Sequence, residues 1–190
     1  VFYNTYENQQ LTVGRIVNGQ PTADLINAQE AVLWGIEYEV VAQLSGGRAV
    51  SSTGGYLSGE YTEFTVQDNV YDPITLEESI VTRDLSGLDF GNGGTETSFD
   101  VSLLHINELN AGGDVTTSIG YGYKDAVFGS LENNPSSRMK GYWLLDGRMT
   151  WNLSNGRTRV SLWGTNLLDR DFVDTMLYPV SYTHLRAHET

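Results

Sequence analysis

A chain of 190 residues with 11 basic against 24 acidic side chains carries a formal charge of −13, which excludes the basic patch that nucleic-acid binding requires. Cysteine is absent, so there is no disulfide framework, thiolate zinc site or cysteine nucleophile. No run approaches the roughly 20 apolar residues of a membrane helix, yet the mean hydropathy of −0.28 fits a soluble protein and a β-barrel equally well, because barrel strands alternate lipid-facing and lumen-facing side chains.

With 21 glycines, 11 tyrosines and 4 tryptophans, the composition favours strands and turns. In chain order, residues 2–13 read as a first, irregular strand and residues 14–28 as a long connection. From Glu30 the pattern has period two: Val32, Trp34, Ile36, Tyr38 and Val40 share one parity, while Gln29, Gly35, Glu37, Glu39 and Gln43 share the other. A tight turn at Ser45-Gly46-Gly47-Arg48 leads into a strand over 49–65. Residues 66–97 read as a long loop, followed by a strand over 98–109 and the turn Asn110-Ala111-Gly112-Gly113. From Asp114, Val115, Ile119, Tyr121, Tyr123 and Val127 stand opposite in parity to Thr116, Ser118, Gly120 and Lys124. After a third long connection at 129–140, Trp143, Leu145, Met149, Trp151 and Leu153 fall on one face, with Asp146, Arg148, Thr150 and Asn152 on the other. The turn Ser154-Asn155-Gly156-Arg157 then opens a last strand over 158–174, with Val160 and Leu162 on its apolar side.

About seven strands result, joined by turns that alternate short and long. An outer-membrane barrel shows this alternation, with short periplasmic turns and long extracellular loops, whereas a soluble sandwich has no reason to keep its long loops at one end. Trp143 and Trp151 add a geometric argument: eight residues span about 26 Å of strand, or about 20 Å along the membrane normal at a tilt of about 40°, near the separation of two aromatic girdles.

Several segments then resemble one family, the TonB-dependent outer-membrane receptors. Residues 2–10 (FYNTYENQQ) are similar to the strand that precedes the family's Asn-Ala-Gly-Glu-Ala motif, and residues 27–39 (NAQEAVLWGIEYE) resemble that motif with Gln29 in place of the usual glycine. Residues 55–64 (GYLSGEYTEF) are similar to the next strand and Asp84-Leu85-Ser86-Gly87 to the segment leading into the one after. Residues 163–169 (WGTNLLD) resemble the end of the penultimate barrel strand. The match runs over most of residues 1–174 and departs from the pattern after Gly87, where Leu88-Asp89-Phe90-Gly91-Asn92-Gly93-Gly94 replaces a proline-containing start. The resemblance implies an all-β fold, an antiparallel meander forming part of a transmembrane barrel of about 22 strands. It implies uptake of a scarce nutrient, commonly a ferric siderophore, across the outer membrane of a Gram-negative bacterium. The partners implied are membrane lipid, a plug domain, the TonB complex acting through that plug, and a siderophore-like ligand.

Residues 1–179 are expected to be the barrel portion, without the plug and the last strand. Val180–Thr190 (VSYTHLRAHET) resembles one reading frame of a sequencing-library adapter and is expected to be non-native, which removes His184 and His188 as ligand candidates. No catalytic constellation is present: His105 stands alone, and there is no nucleophile elbow, phosphate-binding glycine loop or zinc-ligand spacing, so neither enzymatic activity nor a cofactor or resident metal is expected. The candidates for ligand contact are the acidic residues of the 66–97 loop, Asp68, Asp72, Glu77, Glu78, Asp84 and Asp89, whose summed field attracts cations, although a solvated acidic loop is the simpler account of each. Glu37, Glu39, Lys124, Asp146, Arg148 and Arg159 are expected to make the inward wall polar and charged. A passive porin-like barrel and a soluble β-sandwich binding module, the latter burying Trp34, Trp143 and Trp151 between two sheets, are the alternatives.

Overall fold

The computed structural model describes residues 1–17, 20–71, 77–90 and 97–175. They form β1 (Phe2–Val17), β2 (Gln20–Leu44), β3 (Arg48–Glu63), β4 (Thr65–Tyr71), β5 (Glu78–Asp84), β6 (Thr97–Glu108), β7 (Gly113–Lys124), β8 (Val127–Phe128), β9 (Arg138–Met139), β10 (Tyr142–Leu153) and β11 (Arg159–Gly164). Seven of these make one sheet in the order β1-β2-β3-β6-β7-β10-β11, antiparallel at each step. The all-β antiparallel meander is therefore as expected. The sheet is open, with β1 and β11 at its two edges.

The three tight turns, between β2 and β3, β6 and β7, and β10 and β11, lie at one end of the sheet, and the longer connections lie at the other. Those connections differ from the loops read in the sequence. Among the described residues of 14–28 the chain is paired rather than looped: the β1–β2 ladder runs on as far as Val17 opposite Gln20. Residues 66–97 contain the β4–β5 hairpin, paired from Thr65 opposite Asp84 to Tyr71 opposite Glu78. Residues 129–140 hold a 3-10 turn at Pro135–Ser137, capped by the Asn134 side chain accepting from the Ser136 N–H, and β9, which pairs with β8 just before the segment. The last strand is shorter than expected, because β11 ends at Gly164 and the chain turns back at Asn166, whose φ is +48°.

Register places every residue on one of two faces, because directly paired residues share a face and successive residues alternate. Starting from Trp34 opposite Ser58 and Ile36 opposite Tyr56, one face carries Val32, Trp34, Ile36, Tyr38, Val40 and Ala42 of β2 and Val50 and Tyr56 of β3. It continues through Phe99, Val101 and Leu103 of β6, then Val115, Ile119, Tyr121 and Tyr123 of β7. Trp143, Leu145, Met149 and Trp151 of β10 and Val160 and Leu162 of β11 complete it. Charged residues bound this apolar band at both ends: Glu30, Glu60 and Glu63 toward the long connections, Arg48 and His105 toward the tight turns.

The band is not covered. Trp34, Ile36, Leu103, Ile119, Trp151 and Leu162 are all exposed. Ordinary side-chain burial is found instead at the long-connection end, where Ala28, Ala31, Tyr61, Phe64, Val66 and Leu85 form a small packed cluster flanked by Leu11, Ile26, Leu88, Phe90 and Leu131. It joins β2, the end of β3 and the β4–β5 hairpin. The segment after Gly87 takes up the free edge of β3 beyond the reach of β6: the Tyr61 N–H donates to the Leu88 carbonyl at 3.0 Å and the Phe90 N–H to the Gly59 carbonyl at 3.0 Å. A Cβ at Gly59 would lie 2.6 Å from the Phe90 ring, so only glycine admits this packing.

Candidate functional site

The face opposite the apolar band is the polar one. Glu37 and Glu39 of β2, Asp100 and Ser102 of β6, Asp114, Ser118 and Lys124 of β7, Asp146 and Arg148 of β10, and Arg159 of β11 all lie on it. The six charged residues singled out in the sequence, Glu37, Glu39, Lys124, Asp146, Arg148 and Arg159, thus share one face. Some apolar residues interrupt it, Val41, Leu104 and Leu144 among them.

Hydrogen bonds tie this face together across strands. The Asp114 carboxylate accepts from the Thr116 hydroxyl at 3.0 Å and from the Asn152 amide at 2.8 Å, while the Arg159 Nε donates to Asn152 Oδ1 at 2.9 Å. Thr150 and Ser161 hydroxyls meet at 3.0 Å. Two open hollows lie on this surface. The larger, about 690 Å³, is lined by Phe2, Glu37, Glu39, Thr53, Gly55 and Ser98 among others. The smaller, about 270 Å³, has a floor of Ser102, Ser118 and Gly120 beside Asp146, Arg148 and Trp163. Small residues on adjacent strands make both hollows, since side chains standing off the sheet are the only walls available to a single layer.

The acidic candidates of the hairpin region that lie among the described residues are on several segments. Asp68 lies in β4 opposite Val81, and Glu78 lies in β5 opposite Tyr71. Glu77 precedes β5 and is exposed. Asp72 lies outside the described residues. Asp84, which closes β5, is engaged locally: its Oδ1 accepts from the Ser86 N–H at 3.0 Å, and the Ser86 hydroxyl and N–H hold its carboxyl below the usual carboxylate range. Asp89 is fixed through its backbone, the N–H donating to Asn133 Oδ1 at 2.9 Å and the carbonyl accepting from Asn133 Nδ2 at 3.1 Å. Among the described residues no group of three or more His, Cys, Asp or Glu side chains is placed to hold a metal ion. His105 sits on the apolar face, opposite Arg48 and Thr117.

The segment after β11 has a defined role. The Leu167 N–H donates to the Leu145 carbonyl at 2.7 Å and the Asn166 N–H to Asp146 Oδ1 at 2.8 Å, so the chain follows the edge of β10 that β11 leaves free. Asn166 clamps Arg170, accepting from its N–H at 2.9 Å and donating to its carbonyl at 3.0 Å. Arg170 lies over the Trp143 ring at 3.8 Å from the centroid, Phe172 stacks on Tyr142 at 4.5 Å, and Asp174 accepts from the Tyr142 hydroxyl at 2.7 Å and from Lys124 Nζ at 3.3 Å. These two donors hold the Asp174 carboxyl below its ordinary range. Leu167 rests on the directly paired Gly147 and Gly164, where an added Cβ would lie 3.0 Å and 2.8 Å from its methyl carbons.

Sequence reasoning missed Trp163 as a polar-face residue, although its parity opposite Val160 and Leu162 carried the signal. It also missed the interactions of Gln29 and Asn166, which join residues distant in sequence or depend on positive φ and so leave no periodic trace. Comparison of the chain with protein-family models, curated proteins and solved structures finds no match.

Proposed function

We propose that this chain is a sector of the wall of a β-barrel in the outer membrane of a Gram-negative bacterium, belonging to a TonB-dependent receptor that takes up a scarce nutrient. One observation carries the membrane part of the reading: from β2 to β11 one face of the sheet carries most of the large apolar side chains, and many of them are exposed. A soluble protein rarely leaves so wide an apolar surface uncovered. In lipid the same surface is the ordinary outside of a barrel.

The dimensions fit. The stretch from Val32 to Ala42 is about 33 Å long at ~3.3 Å per residue, or about 25 Å along the normal for a strand tilted about 40°, the height of a barrel's apolar band. Aromatic rings run across one margin: Trp34 and Tyr56 have centroids 5.3 Å apart, Phe99 and Tyr123 5.4 Å, and Tyr121 and Trp143 5.6 Å. Trp151 stands near the other margin. Rings with an apolar body and a polar atom favour the lipid–water boundary. The sandwich alternative requires Trp34, Trp143 and Trp151 to be buried between two sheets; Trp34 and Trp151 are 40% and 48% exposed, while Trp143 is half-buried with Arg170 over its ring.

The receptor part rests on the motif resemblance. It makes the long-connection end extracellular, the tight turns periplasmic and the polar face a wall toward the plug. Energy for uptake comes from the TonB complex pulling on that plug, and the ligand class is a ferric siderophore. The seven-stranded sheet has two open edges, which lipid does not tolerate, so the isolated chain is expected to aggregate or to require detergent and not to transport alone. Monodisperse behaviour in plain buffer contradicts the membrane reading.

Uptake of a radiolabelled ferric siderophore by cells expressing the parent gene, with and without a functional TonB system, separates the receptor from a porin. The receptor requires TonB. Uptake that persists without TonB supports the porin alternative and contradicts the proposal.

A further inference from the structure

The chain leaves the large sheet between Glu63 and Thr65, and the backbone there is satisfied in an unusual way. The Phe64 N–H donates to the Ser86 hydroxyl at 3.0 Å, and the Thr65 N–H donates to Gln29 Oε1 at 3.0 Å. Two consecutive amides at the kink are thus held by side chains from two other segments rather than by a ladder. The Gln29 amide also reaches back with its nitrogen, 3.4 Å from both the Thr65 carbonyl and the Thr65 hydroxyl. One side-chain amide therefore meets both the donor and the acceptor of a single residue, as a neighbouring strand would. Around this point Ala28 and Ala31 of β2 are buried in one cluster with Phe64, Val66 and Leu85, Phe64 at 0% exposure. The Leu85 N–H closes the arrangement on the Phe64 carbonyl at 2.7 Å.

We propose that Gln29 and Ser86 form a two-point latch that holds the β4–β5 hairpin on the end of β2 and β3, making it a fixed wall of the long-connection end rather than a freely moving loop. Gln29 supplies a paired amide that glycine, the residue expected there from the motif, lacks. Ser86 supplies the second point, with its own N–H tied to Asp84, so its position is set by the end of β5. The alanines at 28 and 31 let the hairpin approach closely enough for the Gln29 side chain to span the gap. The inference rests on this geometry alone and does not depend on the receptor reading.

Amide hydrogen exchange of the full chain folded in detergent micelles tests it. Gln29→Met keeps the length of the side chain and removes its hydrogen bonds; Ser86→Ala removes the second point. Each is expected to speed exchange at Phe64, Thr65 and the paired amides of β4 and β5 about 2- to 10-fold, the loss of one net hydrogen bond, while Trp34–Gln43 in β2 keeps wild-type protection. Unchanged exchange over the hairpin in both variants overturns the latch. A second measurement does not depend on these variants folding well. The chain has no native cysteine, so Gln29→Cys combined with Thr65→Cys can be treated with a short bis-maleimide. Rapid cross-linking in the folded state supports the arrangement, and its absence there contradicts it.

Discussion

The large sheet and the small cluster at its end are stabilised in different ways. In the sheet, backbone ladders are continuous over seven strands, but the apolar residues Leu103, Ile119 and Met149 remain exposed. In the cluster, Phe64, Ala28 and Ala31 are sealed from solvent as in any soluble core. The cluster carries its own hydrophobic stabilisation in water, whereas on the proposed reading the apolar face of the sheet is covered by lipid. A single polypeptide thus combines a small packed apolar cluster with a broad sheet face whose apolar residues are exposed.

Substitutions in the two regions should therefore respond differently to lipid. The largest effect is expected for Phe64→Ala, which empties the cluster centre and should cost about 3–5 kcal/mol of the free energy of opening the β4–β5 hairpin. Hydrogen exchange in detergent micelles reads this, and the loss should be insensitive to the choice of detergent. Leu103→Arg places a charge in the middle of the apolar band and should cost about 2–4 kcal/mol of stability in detergent micelles, followed by urea unfolding. Its neighbour on the other face, Ser102→Arg, should change stability by no more than about 0.5 kcal/mol. Equal costs at 102 and 103 would break the two-face account.

Smaller effects are expected at the sheet edge. Asn166→Ala removes the clamp on Arg170 and places alanine at a φ of +48°, a change worth about 1–2 kcal/mol. The part of the tryptophan emission that Trp143→Phe removes should then shift, as Arg170 leaves the ring. The smallest effect is the pH response of Asp174. Its folded carboxyl lies below the unfolded value, so its contribution is present above about pH 4 and is lost as pH falls through the folded value. The same Trp143 emission should detach from its neutral-pH value only in that acid range, and Asp174→Asn should abolish the transition.

The faces of the sheet were legible in the sequence because a period of two is written in adjacent residues. Val32, Trp34 and Ile36 against Glu37 and Glu39 need only the strand to be extended for their sides to follow. The β4–β5 hairpin was hidden because its strands are only seven residues each and lack a sustained apolar alternation, so with the acidic residues around them they read as a loop. Of the acidic candidates, Asp68, Glu78 and Asp84 take register positions along the β4–β5 ladder, which a loop reading could not assign. The Gln29–Thr65 contact spans 36 residues, and no local pattern encodes a pairing at that distance.

Quenching by a brominated detergent tests the central claim most directly. In single-tryptophan versions of the chain folded in micelles of that detergent, with the other three replaced by phenylalanine, Trp151 on the apolar face should be strongly quenched and Trp163 on the polar face should not. Equal quenching of the two, or quenching of neither, would contradict a sheet that meets lipid with one face and water with the other.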